Sequence, residues 1–368
     1  MSSTSPAPPL FAPVLQPYVA RQELAGAVVL AANRREILGL EAVGMADIAG
    51  QRPMLPDALC WIASMTKPIT AAALMMLVDA GTVRVDDPVE AYLPEFSGQW
   101  LIVEGDAEHQ VLRKPAHPIT VGNILSHTSG MPFMSALEVP TLDRLTLEMA
   151  TRSYAITPLQ FPPDTRYEYS NAGINTAGRI IEVVSGQPYE TFMDERLFGP
   201  LGMTDTTFWP SVAQLTRLAK TYRPTADGAG LEEAPLAQLQ HPLDDRATRY
   251  PMPAGGLFST AVDVARFCQM VLNDGVYQDR RFLSTAAVRA MTRKQTGDAV
   301  EAEYGFGWDT ANGVFGHGGA HATNMTIDPR RDLITVYLVQ HCGFPGAGGN
   351  SHGAFKAAAE AWVDQQGQ

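Results

Sequence analysis

The chain has 368 residues, of which 45% are hydrophobic and 18% are charged, and its formal net charge is −12. This length predicts two domains, or one domain with an insertion, and the composition is that of a globular protein. Such an acidic chain would be repelled by phosphates, so neither nucleic acid nor an anionic membrane is an expected partner.

The cysteines and the N-terminal segment bear on the cellular compartment. Cys60, Cys268 and Cys342 are too few and too widely spaced to predict a disulfide framework or a thiolate metal site. The first ten or so residues are rich in serine and proline, which is typical of a loose tail rather than a secretory signal. No segment approaches the roughly 20 apolar residues that span a bilayer. The sequence therefore predicts a cytoplasmic protein.

The first regular elements are a hairpin and a helix. Short apolar runs at 26–32 and 36–44, joined by a polar turn, predict a β-hairpin. Apolar residues then recur at helical spacing over 66–80. Pro68 is tolerated only in the first turn of that helix, where its missing N–H does no harm. Ser64 is therefore predicted to lie at the start of the helix.

The middle of the chain, from 81 to 252, has a helical and loop-rich pattern. The segment NAGINTAGRIIEVVSG predicts an amphipathic helix that ends at Gly186. The stretch 223–256 predicts a long irregular connection, and connections of that length are more often functional than idle. The segment STAVDVARFCQMVLNDG predicts a further helix.

The C-terminal part returns to strands. GVFGHGG, HATNMTIDP and DLITVYLVQH predict strands, and AFKAAAEAWVDQ predicts a closing helix. Strands at both ends with helices between them predict an α/β fold. We expect a discontinuous α/β domain over 12–80 and 253–368, with a mostly helical domain, 81–252, inserted into it.

Ser64 and Lys67 form a Ser-x-x-Lys motif in which both side chains lie on one face of the predicted helix. A serine hydroxyl is a poor nucleophile without a nearby base, and lysine can act as that base once burial lowers its pKa. The helix dipole would also favour negative charge developing at the serine. The alternative is an N-capping serine followed by a solvated lysine, a pattern that often arises by chance.

Two downstream motifs favour the catalytic interpretation. YEYSNAG places Tyr169 and Asn171 just before a predicted helix, and FGHGGAHATN places His317, Gly318 and Gly319 on a predicted strand. The order Ser-x-x-Lys, Tyr-x-Asn and then a polar residue before Gly-Gly resembles that of the penicillin-recognising serine hydrolases. LSHTSGMP, DPVEAYLPEF, FGPLGMTDT and YGFGW are also similar to segments of that family.

From about residue 15 to 365 the chain resembles the class C β-lactamase and D,D-peptidase superfamily, and within it most of all the family VIII carboxylesterases. The resemblance implies an antiparallel sheet flanked by helices, with Ser64 as the acylated nucleophile. It implies that Lys67 and Tyr169 share proton transfer, and leaves open which of them is the base. Asn171 would hydrogen-bond near Lys67 and the substrate. The backbone N–H groups of Ser64 and Ala320 would form the oxyanion hole.

One motif departs from the β-lactamase pattern, because those enzymes carry Lys-Thr-Gly where this chain has His317-Gly318-Gly319. Their lysine helps to bind the β-lactam carboxylate, whereas a histidine is mostly uncharged near neutral pH and Gly318 offers no hydroxyl. Missing side chains at Gly318 and Gly319 would let a substrate approach the strand backbone. These residues are therefore candidate substrate-binding residues without a strong preference for carboxylates.

Three other motifs have simpler structural explanations. Ser351 in GNSHG matches the nucleophile elbow of α/β-hydrolases, but only 17 residues follow it, so a glycine-rich loop before the last helix is expected. His317 and His321 form H-x-x-x-H without the glutamate of a zinc site, so no metal is predicted. His127 in LSHTSG is expected to buttress a helix end.

The sequence thus predicts a serine hydrolase that cleaves carboxylic esters with short acyl chains through an acyl-enzyme at Ser64, without a cofactor. Its partner would be a small-molecule ester, and the oligomeric state stays open. Alternatives of the same fold are a β-lactamase, a D-amino-acid amidase or peptidase, and an acyltransferase. A penicillin sensor or a scaffold protein is the non-enzymatic alternative, which turnover of an activated ester would exclude.

Overall fold

The computed structural model describes residues 10–106 and 108–366, so most of the expected N-terminal tail lies outside the described residues. The α-helices, in chain order, are α1 (Gln16–Ala20), α2 (Thr66–Asp79), α3 (Val121–Ser126), α4 (Leu147–Ile156), α5 (Asn171–Ser185), α6 (Tyr189–Met193), α7 (Gly199–Leu201), α8 (Val212–Leu215), α9 (Ala261–Leu272), α10 (Thr285–Met291) and α11 (Ser351–Gln366). Within the described ranges, none of them combines the length and apolar character that crossing a membrane requires.

Seven strands form one antiparallel sheet in the order β12-β13-β14-β15-β1-β2-β3. Short two-stranded ladders pair β4 with β9, β5 with β6, β7 with β8, and β10 with β11. The strands are β1 (Gly26–Ala32), β2 (Ile37–Asp47), β3 (Arg52–Pro53), β4 (Cys60–Trp61), β5 (Leu101–Gly105), β6 (Gln110–Arg113), β7 (Thr221–Pro224), β8 (Leu231–Ala234), β9 (Phe258–Ser259), β10 (Val276–Tyr277), β11 (Arg280–Arg281), β12 (Asp309–Ala311), β13 (Val314–Gly318), β14 (Asn324–Asp328) and β15 (Leu333–Leu338). The predicted α/β class with an antiparallel sheet is confirmed.

Strand β1 is buried on both faces, which is why its sequence is a continuous apolar run rather than an alternating one. Val28 and Leu30 belong to the large core that also contains helix α9. Val29 and Ala31 point to the opposite face and pack in a second core with helix α11. The sheet therefore lies between two helical layers, one containing α9 and the other containing α11.

The region 81–252 is built around α5, which packs against α2, α3, α4 and α6. It also holds the hairpins β5-β6 and β7-β8, which the sequence did not predict. Strand β8 lies inside 223–256, so the prediction of a wholly irregular stretch was wrong there. The large core runs without a break from the sheet helices through α2 to α5. The division into two domains stays a prediction.

Helix α2 is the central helix of the molecule and is buried on almost every side, because α5 and α10 both pack against it. Its small residues Ala71, Ala72 and Ala73 allow that close approach. The N-terminal end of α2 faces the β4-β9 ladder and strand β13, where the amide of Ile62 donates to the carbonyl of Leu257 at 3.0 Å. This end carries Ser64.

Candidate active site

Ser64 lies in a short 3-10 turn, Ala63–Met65, that leads into α2. The turn contains a strained residue, since Ala63 has a φ of +46° in the left-handed region. The hydroxyl of Thr66 holds the turn by donating to the carbonyl of Ala63 at 2.6 Å. Strain of this kind persists only where the surroundings enforce it, and it concentrates at functional sites.

Lys67 is fully buried, with 0% of its surface exposed, and its side-chain nitrogen is surrounded by oxygen atoms. Its Nζ lies 3.1 Å from Ser64 Oγ, 2.7 Å from Asn171 Oδ1 and 2.7 Å from the carbonyl oxygen of Ala254. No carboxylate is among these partners, so burial dominates and lowers the pKa of Lys67 well below its usual value. A neutral amine beside Ser64 can accept the hydroxyl proton.

Tyr169 lies on the other side of Lys67, with the Nζ of the lysine 4.6 Å from the centre of the tyrosine ring. Burial raises the pKa of Tyr169 above its usual value, and the nearby Ser64 hydroxyl opposes part of that rise. The tyrosine therefore keeps its proton at neutral pH. The two groups that the sequence left equivalent thus have pKa values shifted in opposite directions, one suited to accept a proton and one to donate it.

Asn171 is the first residue of α5, which starts immediately after the tyrosine. Ser170 caps this helix by accepting a hydrogen bond from the amide of Gly173 at 3.1 Å. The amides of Asn171 and Ala172 both donate to the carbonyl of Phe133. These contacts fix the start of α5 so that the Asn171 carboxamide oxygen reaches Lys67.

Two backbone amides are available to bind an oxyanion. Within the described ranges, neither the Ser64 amide nor the Ala320 amide donates to a protein acceptor. Both residues line the same cavity. Free N–H groups on either side of a nucleophile can stabilise the negative charge of a tetrahedral intermediate.

The cavity above Ser64 has a volume of about 260 Å³, and among the described residues no charged side chain lines it. Its walls are mainly apolar. A larger cavity, of about 720 Å³, lies elsewhere and is lined by none of the predicted site residues. The lining residues are Trp61, Ala63, Ser64, Phe133, Leu142, Tyr169, Asn171, Gln238, Met252, Ala254, Gly255 and Ala320.

Comparison with protein families gives one match, over residues 11–358, to the family described as Beta-lactamase. The chain belongs to this β-lactamase family. Protein Rv1367c from Mycobacterium tuberculosis is 32% identical over 356 residues, which cover 87% of this chain and 86% of that protein. Esterase EstB from Burkholderia gladioli is 28% identical over 374 residues, which cover 89% of this chain and 88% of EstB.

A solved structure shows the same fold. EstCE1, described as a hydrolase with promiscuous acyltransferase activity, superposes with a TM-score of 0.80 at 24% sequence identity. The match covers 95% of this chain and 97% of EstCE1. The resemblance to the β-lactamase superfamily is therefore confirmed by the family match, and EstCE1 confirms the fold.

Gly318 and Gly319 differ in the space around them, although the sequence treated them alike. A Cβ on Gly319 would lie 2.1 Å from Thr323 Oγ1 and 2.5 Å from the carbonyl oxygen of Ile62. A Cβ on Gly318 would meet only ordinary contacts, the nearest at 3.6 Å. The missing side chain of Gly319 therefore lets β13 pack against the turn that carries Ser64.

His317 does not line the cavity in this family member. Its Nδ1 lies 2.7 Å from the carbonyl oxygen of Gly318, and its Nε2 lies 3.0 Å from the Tyr304 hydroxyl. Burial lowers the pKa of His317 to about 3. The structure thus brings together Ser64, Lys67, Tyr169, Asn171 and Ala320, but places His317 behind them as a neutral side chain.

Sequence reasoning missed two contributors to the site. The carbonyl of Ala254 binds Lys67, and Gln238 lines the cavity, and both belong to the stretch 223–256 whose length alone marked it as functional. A side-chain motif search gives no signal for a backbone carbonyl. Tyr304 belongs to the family-like segment YGFGW, but the sequence assigned it no role.

Ser351 and His321, from the other two motifs, are buried and do not line the cavity above Ser64. Ser351 is the first residue of α11 and not part of a loop, so that expectation was wrong. It is buried, and its hydroxyl lies 2.8 Å from that of Tyr337. His321 contacts Thr221 and the thiol of Cys342 rather than His317. Across 10–106 and 108–366, no three His, Cys, Asp or Glu side chains are grouped to hold a metal ion.

Proposed function

We propose that this protein hydrolyses esters of uncharged carboxylic acids with short acyl chains through an acyl-enzyme at Ser64. The observation that carries the proposal is the buried amine of Lys67, whose pKa burial lowers and whose Nζ lies 3.1 Å from Ser64 Oγ, beside a cavity in which the described lining residues are all uncharged. A serine needs such a base to become a nucleophile. The family name alone does not distinguish esters from amides or β-lactams.

In the acylation step, Ser64 Oγ attacks the carbonyl carbon of the ester while its proton passes to Lys67 Nζ. The amides of Ser64 and Ala320 bind the oxyanion that forms. When the intermediate collapses, the departing alkoxide takes a proton from the Tyr169 hydroxyl. The proton held on Lys67 restores that hydroxyl, so the pair returns to its starting state.

Deacylation uses the same groups in reverse order. A water molecule gives a proton to the Lys67–Tyr169 pair as its oxygen adds to the acyl carbon. Ser64 then leaves with a proton from that pair, and the free acid departs. An alcohol in place of water would give a transesterified product, so hydrolase and acyltransferase differ only in the acceptor. EstCE1 is described as having both activities.

The absence of charge in the cavity lining supports a neutral substrate. A β-lactam carboxylate would find no cationic side chain in the lining, and His317 lies behind the wall with both ring nitrogens engaged. A missing hydrogen bond to a charged group costs about 1.5–3 kcal/mol, or roughly ten- to a hundredfold in binding. An ester with a neutral acyl group loses nothing. The esterase name of the relative EstB supports the same choice.

One substrate panel tests the proposal. We expect kcat/KM for p-nitrophenyl acetate or butyrate to exceed that for nitrocefin and for D-alanyl amides at least ~10-fold, on the hydrogen-bond argument above. Ser64→Ala should lose at least ~10³-fold in kcat, as expected for removal of a nucleophile. The matched control Ser351→Ala should keep most activity. Equal or faster turnover of nitrocefin would instead make the protein a β-lactamase.

A further inference from the structure

His127 is a buried histidine that follows α3 directly and lies outside the cavity lining. It has a φ of +60°, in the left-handed region that a bulky residue rarely adopts. The proposed reaction assigns it no proton transfer, and the sequence suggested only that it buttresses a helix end. Its contacts lead to the segment that carries Tyr169.

His127 binds the backbone on both sides of Tyr169. The carbonyl oxygen of His127 accepts a hydrogen bond from the amide of Glu168 at 2.9 Å. The imidazole Nδ1 accepts a second hydrogen bond from the amide of Ser170 at 3.2 Å. One residue therefore fixes the amides immediately before and after the tyrosine, which restricts the backbone rotations that aim its side chain.

The imidazole ring also supports the tyrosine ring from behind. Its centre lies 4.6 Å from the centre of the Tyr169 ring and 4.7 Å from that of Tyr304. Tyr304 in turn is hydrogen-bonded to His317 on β13. Tyr169 is thus packed against His127, which in turn packs against Tyr304.

We propose that His127 is a positioning residue that holds the Tyr169 hydroxyl in place for proton transfer at Ser64. This inference rests on the proposed function, because it concerns the proton donor of that reaction. The hydrogen bond from Ser170 requires an unprotonated Nδ1, so His127 must be neutral with its proton on Nε2. Burial lowers the pKa of His127 well below its usual value and keeps it neutral.

Two substitutions separate the hydrogen bond from the ring packing. His127→Asn keeps an acceptor near the position of Nδ1, and asparagine tolerates the left-handed backbone. His127→Phe keeps a ring of similar size and removes the acceptor. A misplacement of about 1 Å can cost ~10²-fold in rate. We therefore expect His127→Phe to lose ~10²-fold in kcat with little change in KM, and His127→Asn to retain most activity.

A double mutant tests whether His127 acts through Tyr169. Tyr169→Phe alone should lose ~10²–10⁴-fold in kcat, the usual contribution of a general acid or base. Adding His127→Phe to Tyr169→Phe should then cause little further loss, because the group that His127 positions is already gone. His352→Ala, which truncates a partly buried histidine in α11, serves as the control and should leave kcat unchanged.

The outcomes distinguish failure of this inference from failure of the proposed function. If His127→Asn loses as much as His127→Phe, or if the losses in the double mutant multiply, the positioning role is overturned while the reaction scheme stands. If Tyr169→Phe keeps full activity, the proton-donor role of Tyr169 is itself overturned. Thermal unfolding of each variant identifies any that fail to fold, and His127→Ala replaces His127→Phe in that case.

Discussion

At the scale of single residues, Lys67 and Tyr169 have opposite shifts in pKa, and this opposition is the basis of the different roles that we propose for them. Burial lowers the pKa of the lysine and raises that of the tyrosine, so it favours the neutral form of both side chains. Only the lysine is then ready to accept the Ser64 proton. The tyrosine becomes useful one step later, when the leaving group needs a proton.

Because each proton is shared by the pair, Lys67 and Tyr169 should behave as one unit. We expect Lys67→Ala and Tyr169→Phe each to lower kcat by ~10²–10⁴-fold. The kcat of the double mutant should lie within ~10-fold of that of the less active single mutant. Steady-state kinetics with p-nitrophenyl butyrate measures all three. Losses that multiply in the double mutant would indicate independent roles and contradict the shared-proton scheme.

At this scale the sequence predicted those contacts that depend on local spacing. Ser64 and Lys67 are three residues apart on one helix, so their proximity follows from helix geometry. The contact between Lys67 and Ala254 joins residues 187 positions apart and uses a backbone carbonyl. No local pattern encodes such a contact. The burial that sets both pKa values likewise depends on the complete tertiary structure.

At the scale of elements, the approach of β13 to the Ser64 turn depends on one glycine. A Cβ on Gly319 would overlap Thr323 Oγ1 and the carbonyl of Ile62, whereas a Cβ on Gly318 finds ordinary contacts. Overpacking of this kind typically costs about 1–3 kcal/mol. Because Ile62 lies two residues before Ser64, any shift of β13 would also move the Ala320 amide relative to the nucleophile.

Alanine substitutions at the two glycines form a matched pair. Gly319→Ala should lower the free energy of unfolding by about 1–3 kcal/mol and reduce kcat, whereas Gly318→Ala should leave unfolding nearly unchanged. Urea unfolding with kinetics on the same preparations measures both effects. Equal stability of the two variants would show that β13 can move away from the turn without strain.

Prediction of elements succeeded where the apolar period was long and failed where strands were short. The predicted end of helix α2 is within one residue of the observed end, Asp79. The prediction was accurate because the apolar periodicity extends over about four turns. The hairpin β5-β6 was missed because its strands are mostly exposed and lack an apolar alternation. Helix α11 starts at Ser351, three residues before the predicted start. The first turn was missed because the glycines of GNSHG favour a loop over a helix.

At the scale of the whole molecule, the sequence predicted the α/β class from strands at both ends of the chain. The order of the seven strands was not predictable from the sequence, because β15 near the C-terminus pairs with β1 near the N-terminus. The continuity of the core from the sheet to α5 was equally hidden. Both depend on contacts between distant segments. The fold also buries His317, His321 and His341, and their burial makes the free energy of unfolding depend on pH.

Burial lowers the pKa of His317 to about 3 and those of His321 and His341 to about 4. In the unfolded chain each would titrate near 6.5, so between these values the unfolded state binds more protons. Stability must therefore fall as the pH falls below about 6.5. Buried carboxyl groups such as Glu138, whose pKa is raised by burial, bind protons in the folded state and offset part of this loss.

We expect these three histidines together to lower the free energy of unfolding by about 4 kcal/mol between pH 7.5 and pH 5.5, since each contributes about 1.4 kcal/mol one pH unit below its unfolded pKa. That is a large part of the 5–15 kcal/mol typical of folded domains. Urea unfolding at the two pH values measures the change. His341→Gln removes one of the three groups, so its loss on acidification should be smaller by about 1.4 kcal/mol. Unchanged stability at pH 5.5, or an equal loss in His341→Gln, would mean that these histidines are protonated in the folded protein.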